Sequence, residues 1–293
     1  GELHSLWSKT IGSEAEANYA GAVNRAFTGS STDAWEAIGA NGSFLQDPTV
    51  LVSSLTKGEG ETQYAGAFTI AANIDLLVVV VAGTDTDNIG NGITGVRYNG
   101  ASNSSGGVDI SANEVLDNYG GKNVFGMWYV ANPTASSGSN NYILATLNSV
   151  SGNAVDEINC AIFHIKGSNN AALSIATTTS TDTSGTGISN AVATAVGDFV
   201  IDIFAGDENI AIASSGTDQT AAMAANGTGI VHSHGSSYRL ATGTTTTMTH
   251  TLASSISSSF IGGAAAFAML PMTPVDITSD RGKLVAMVVQ GDD

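Results

Sequence analysis

The residues that could do chemistry are few, and their spacing says what each could do. His232-Ser233-His234 places two imidazoles on one side of an extended strand, half of a metal site. No neighbouring cysteine or carboxylate completes a tetrahedral set, and Gly229 and Gly235 suggest a loop, so metal binding is not expected there. Asp85-Thr86-Asp87-Asn88-Ile89-Gly90 begins like a calcium loop, with two carboxylates two residues apart before a glycine. The match then fails, because Ile89 takes a ligand position and Val96 stands where a bidentate glutamate belongs. A polar turn between strands is the better reading. A structural calcium ion held between loops far apart in sequence stays open; no other cofactor is expected.

Asp202 lies in an otherwise apolar run and is the acid expected to be partly buried, hydrogen-bonded to nearby backbone or threonine hydroxyls. His164 and His250 fall in strand-like segments and read as sheet residues. The Gly-x-Ser-x-Gly context of a nucleophilic serine does not occur. Gly-Thr-Gly at Gly185–Gly187 and Gly227–Gly229 has no following lysine and is no phosphate loop. Paired carboxylates of the glycosidase kind meet only in space, so spacing does not decide them. Trp7, Trp35, Trp128 and Tyr129 could stack on a sugar. Trp128 and Tyr129 alternate faces, which puts Trp128 in a core, while Trp7 and Trp35 suit interface anchors. No catalytic, cofactor or metal residue is therefore assigned, and the chain reads as a non-enzyme.

Composition points the same way. Nine Lys+Arg against 26 Asp+Glu give a net charge of -17, a field that repels phosphate backbones and anionic lipid. Neither nucleic-acid binding nor membrane insertion is expected, since no apolar run reaches the roughly 18–20 residues of a transmembrane helix. The lone Cys160 sits in an apolar run and reads as a buried thiol, so no internal disulfide is available. The start at Gly1, without an initiator methionine, suggests a processed or trimmed end.

These residues need elements to hold them. Residues 1–59 read as an N-terminal arm with short helices. Ser13-Glu14-Ala15-Glu16 matches a capping box, followed by a stripe of Tyr19, Ala20, Val23 and Phe27. A second short helix would run from Asp33 to Ile38. Residues 60–270 read as β throughout. Candidate strands are Leu76–Ala82, Ile93–Tyr98, Val124–Val130, Tyr142–Leu147, Cys160–Ile165, Ile188–Thr194, Phe199–Phe204, Ser236–Ala241, Thr245–Leu252 and Ala264–Met269. Many short strands without long helices predict an all-β fold, a β-sandwich or jelly roll. Thr177–Ser189 has a low-complexity texture. Residues 271–293 add a tail with one apolar strand, Leu284–Val289.

Five phrases stand in one order: LLVVVVAG at Leu76–Gly83, ITGVRYNG at Ile93–Gly100, FGMWYVANP at Phe125–Pro133, GDFVIDIF at Gly197–Phe204 and GSSYRLATG at Gly235–Gly243. Together they resemble a β-sandwich module that recurs in phage virion structural proteins and in secreted bacterial surface proteins. The resemblance covers roughly Tyr64–Leu270 and implies architecture and an exterior location, in a virion or at a cell surface. It implies no reaction.

The expected function is a non-enzymatic structural protein of a phage particle or extracellular assembly, such as a capsid decoration, tail or fibre component. Its partners would be further copies of itself and other particle or surface proteins. The alternative is a carbohydrate- or surface-binding module with a glycan partner. A hydrolase with spatially assembled carboxylates is the third reading, sustained only by the abundance of aspartate.

Overall fold

The computed structural model describes residues 50–57, 63–84, 89–100, 106–136, 142–149, 157–168, 170, 173–225 and 232–269. The chain divides into two compact units, and every described residue lies in the unit Pro48–Leu270. The arm helices, the strand Leu284–Val289 and the Asp85–Asn88 turn fall outside the described residues.

Among the described residues the fold is all-β, with no α-helix. The strands are β1 (Val50–Lys57), β2 (Gln63–Ala67), β3 (Leu76–Thr84), β4 (Ile89–Gly100), β5 (Val108–Asp109), β6 (Glu114–Gly120), β7 (Asn123–Ala131), β8 (Tyr142–Ser149) and β9 (Glu157–Ile165). They continue as β10 (Ile175–Asp182), β11 (Gly185–Ala193), β12 (Phe199–Gly206), β13 (Ile212–Ser215), β14 (Thr220–Ala225), β15 (Ser233–Leu240), β16 (Thr245–Ile256) and β17 (Phe260–Phe267). β1 lies within the stretch expected to be the arm, so the β unit begins earlier than Gly60. The Ser/Thr-rich stretch Thr177–Ser189, low-complexity in texture, forms most of β10 and the start of β11, since threonine suits a pleated, half-wet surface.

Pairing is antiparallel in four sheets, in the orders β2-β8-β4-β5, β1-β9-β3-β7-β6, β10-β17-β12-β15-β14 and β11-β16-β13. We call them the first to fourth sheets. Side-chain alternation shows how they stack. Leu77, Val79 and Val81 of β3 join Trp128 and Val96 in a core between the first and second sheets. Their neighbours Leu76, Val78 and Val80 join Phe163, Ile201 and Phe267 in a core between the second and third. Phe204, Leu252 and Phe260, with a second cluster around Val200 and Met248, fill the space between the third and fourth. The sandwich principle thus operates three times over.

The sequence texture follows from this stacking. β3, β9, β12 and β17 are buried at every residue because they lie in sheets covered on both faces, and β17 and all of β3 before Thr84 read as continuous apolar runs. β16 belongs to an outer sheet and alternates, with Thr246, Met248, His250 and Leu252 buried and Thr245, Thr247 and Thr251 exposed.

Close packing requires glycine at Gly126 in β7. The Trp128 indole folds back over it, and a Cβ built there would lie 2.2 Å from Trp128 Cη2. Gly126→Ala is expected to cost about 1–3 kcal/mol through overpacking, read as a lowered urea midpoint. An unchanged midpoint would mean the indole has room to move.

Candidate functional site

Two buried polar clusters lie in the doubly covered sheets, one in each of two interlayers. Asp202 is the single charged residue of β12 and alternates with Ile201 and Ile203, so it points toward the fourth sheet. His250, flanked by Met248 and Leu252 on the inner face of β16, points back at it. Asp202 is 2% and His250 3% exposed, and His250 Nε2 lies 2.7 Å from Asp202 Oδ2. The other carboxylate oxygen accepts from Ser237 N at 2.6 Å and from Ser237 Oγ at 2.8 Å. Ser237 Oγ in turn accepts from Gln219 Nε2 at 2.7 Å, while Gln219 Oε1 accepts from Thr249 N at 2.8 Å. One connected network ties β12 and β15 of the third sheet to β16 of the fourth.

The far nitrogen of this imidazole, His250 Nδ1, stands 3.4 Å from Ser215 Oγ on β13. Ser215, His250 and Asp202 therefore occur in the order of a nucleophilic relay, with Asp202 placing the ring proton on Nε2 and leaving Nδ1 to accept. The ring is sealed between layers, 4.8 Å from the Phe204 ring centroid. The Asp202–His250 hydrogen bond thus joins the third sheet to the fourth.

The second cluster lies between the second and third sheets. His234 is fully buried on β15, opposite Ala205 of β12. Asn159 Nδ2 lies 2.7 Å from His234 Nδ1 and also donates to Glu157 Oε1 at 2.9 Å. His234 Nε2 lies 2.7 Å from Thr84 Oγ1, which donates to Asn123 Oδ1 at 3.0 Å. Asn123 Nδ2 completes the line on the Ser259 carbonyl at 2.7 Å. Every donor in this chain has one acceptor only if His234 is neutral and carries its proton on Nε2. Burial first, and the nearby His232 second, hold its pKa down at about 3. Geometry and electrostatics agree.

The loop expected around His232-Ser233-His234 is corrected by this arrangement, because Ser233 opens β15. Gly235, read as a loop marker, sits inside the strand, where a Cβ would lie 2.2 Å from the Phe204 ring. Carboxylates do approach both imidazoles from distant strands: Glu157 Oε1 is 3.9 Å from His234 Nδ1, and Asp207 Oδ1 is 3.9 Å from His232 Nδ1. Lys122 Nζ lies 3.6 Å from the other oxygen of Asp207. Among the described residues no three His, Cys, Asp or Glu side chains gather to hold a metal ion.

Asp202 is buried and accepts from backbone as expected, at Ser237 N, while its side-chain partners are Ser237 and His250 instead of threonine. His164 and His250 are both sheet residues. His164 is buried on β9 with neither ring nitrogen hydrogen-bonded, and burial lowers its pKa. Trp128 is core, Tyr129 is partly exposed, and Cys160 is a buried free thiol. Trp7 and Trp35 lie outside the described residues. Sequence reading missed Thr84, Asn123, Glu157 and Asn159. Their signal was present, since each is a polar residue at the end of an apolar strand.

No protein-family model matches the chain, and no curated protein matches it.

Proposed function

We propose that this protein is a non-enzymatic structural component of a phage particle or extracellular assembly. The observation that carries the reading is the use made of the reactive side chains. His164, His234, His250 and Asp202 are buried between sheets and His232 is buried beside Asp207, so none of them is presented to solvent. Four stacked sheets with three apolar cores make a rigid block suited to bearing load. The ordered phrases from Leu76 to Gly243 and their resemblance to the virion and surface module support the same reading, as does the strongly acidic, low-charge-density composition.

The glycan-binding alternative is weaker on a specific point. Among the residues whose exposure is described, Tyr119 is the one aromatic side chain more than half exposed, at 52%, and a sugar-stacking platform uses several. The relay order at Ser215 gives the non-enzymatic reading a sharp trial. A fluorophosphonate ester is expected to leave the intact protein unlabelled by mass spectrometry. Labelling that disappears in Ser215→Ala would end that part of the proposal. Electron microscopy of native material tests the other part: particles or arrays containing the chain are expected, and a purely monomeric secreted protein would overturn it.

A further inference from the structure

We propose that the outer edge of β11, over Ile188–Ala193, pairs antiparallel with the same edge of a second copy of this chain. The proposal rests on the assembly reading above and names its contact. The fourth sheet is unusual within so acidic a chain. Its three strands, GTGISNAVA, IASS and TTTMTHTLASSI, contain no Asp, Glu, Lys or Arg. Two chains of net charge -17 repel one another, and they meet with least repulsion through a sheet that carries no charge.

Within this sheet β11 is an edge, hydrogen-bonded to β16 on one side only among the described strands. An edge strand presents a row of backbone donors and acceptors, which proteins ordinarily guard by shortness, charge or a bulge. The other edges show such guards. β5 has 2 residues and β2 has 5, while β13 has 4 and a register break. β6 carries Glu114 and Asp117, β14 has a break between Ala221 and Met223, β1 ends on Lys57 and β10 on Asp182. β11 breaks register only at Gly185/Gly187, and from Ile188 to Ala193 it runs regular and uncharged. That is six residues, about 20 Å of strand.

Side chains fit the same contact. Ser189, Ala191 and Ala193 face outward and are small, so a second strand can lie beside them without steric conflict. Ile188 and Val192 are already committed inward, to the cores against the third sheet. At the mouth between β10 and β11, Asn190 Oδ1 and Ser180 Oγ are buried without hydrogen-bond partners, both beside Gly262. A strand added along β11 closes that mouth. Because the same strand is used twice, the contact is isologous and closes on a two-fold axis, joining two three-stranded sheets into one of six.

The test uses the full chain in sedimentation equilibrium, together with hydrogen exchange of Ile188–Ala193 at low and high protein concentration. The expected species is twice 29.5 kDa, with amide protection in β11 that grows with concentration. Ala191→Lys places like charges beside one another across the axis and is expected to abolish the dimer with an unchanged far-UV spectrum. Ala191→Thr, a good strand former, is expected to keep it. A single-chain mass with β11 protected at every concentration would mean that another part of the chain covers this edge. That result overturns the proposal and leaves the assembly reading to microscopy. An oligomer that survives Ala191→Lys overturns the β11 contact while sustaining assembly through another surface.

Discussion

Asp202→Ala is expected to destabilise the protein by about 3–5 kcal/mol, because three buried donors lose their acceptor at roughly 1–3 kcal/mol each. The variant deletes the acceptor for His250 Nε2 and the acceptor for both Ser237 N and Ser237 Oγ. It does so where neither partner can reach water, so each orphaned donor carries its full desolvation cost. Asp202→Asn separates charge from shape. The amide oxygen can still accept from Ser237, while its NH2 group turns toward the imidazole and forces Nε2 to become the acceptor. A loss of roughly 1–2 kcal/mol is expected, near that of one buried hydrogen bond. Pairing Asp202→Leu with His250→Leu should recover only part of the Asp202→Ala loss, because Ser237 N still lacks its acceptor. Urea titration of the variants gives the comparison. If Asp202→Ala falls within 1 kcal/mol of the parent, the network does not clamp the third and fourth sheets.

Acid should weaken the second and third sheets' junction through His234. An unfolded histidine titrates near 6.5, whereas the buried ring resists protonation until about pH 3. The folded value is depressed, so the unfolded chain binds the extra proton first. The stabilisation is complete above pH 6.5 and is lost progressively as pH falls toward 3. At 1.36 kcal/mol per unit, the loss across this window is on the order of 5 kcal/mol. A proton on Nδ1 would also face the Asn159 amide donor, so the hydrogen-bond chain breaks together with the electrostatics. His164 acts in the same direction, its pKa lowered by burial. Asp117 opposes them. Burial and the neighbouring Glu114 raise its pKa to about 6, so its contribution is greatest below 3.8 and is lost as pH rises toward 6. Unfolding free energies of the parent and His234→Gln between pH 7.5 and 3.5 isolate the imidazole. The parent should lose stability more steeply in this range; parallel curves would show that His234 is not the neutral link described here.

The amino-acid sequence by itself determined the class of the fold and the sides on which several residues lie. Alternating Thr and apolar residues in Thr245–Leu252 can bury only one face, and β16 does so. Val78–Val81 offers apolar groups to both sides, and β3 is covered on both. Trp128 and Cys160 were legible as core, and Asp202 as a buried acid, because one polar residue amid apolar neighbours cannot choose another environment. The tertiary structure alone decided how many sheets stack and which polar residues meet. An apolar run carries no label for the partner on either face, so one sandwich and a four-sheet stack read alike. The partners of the buried groups come from far along the chain: His250 is 48 residues from Asp202, and His234 is 150 from Thr84. His232-Ser233-His234 looked like a loop because glycine near polar residues usually marks a turn. Here Gly235 makes room for the Phe204 ring, and only packing reveals that use. β10 looked like low complexity for a related reason, since its Thr and Ser residues alternate along a half-buried strand whose partner β17 lies some eighty residues on.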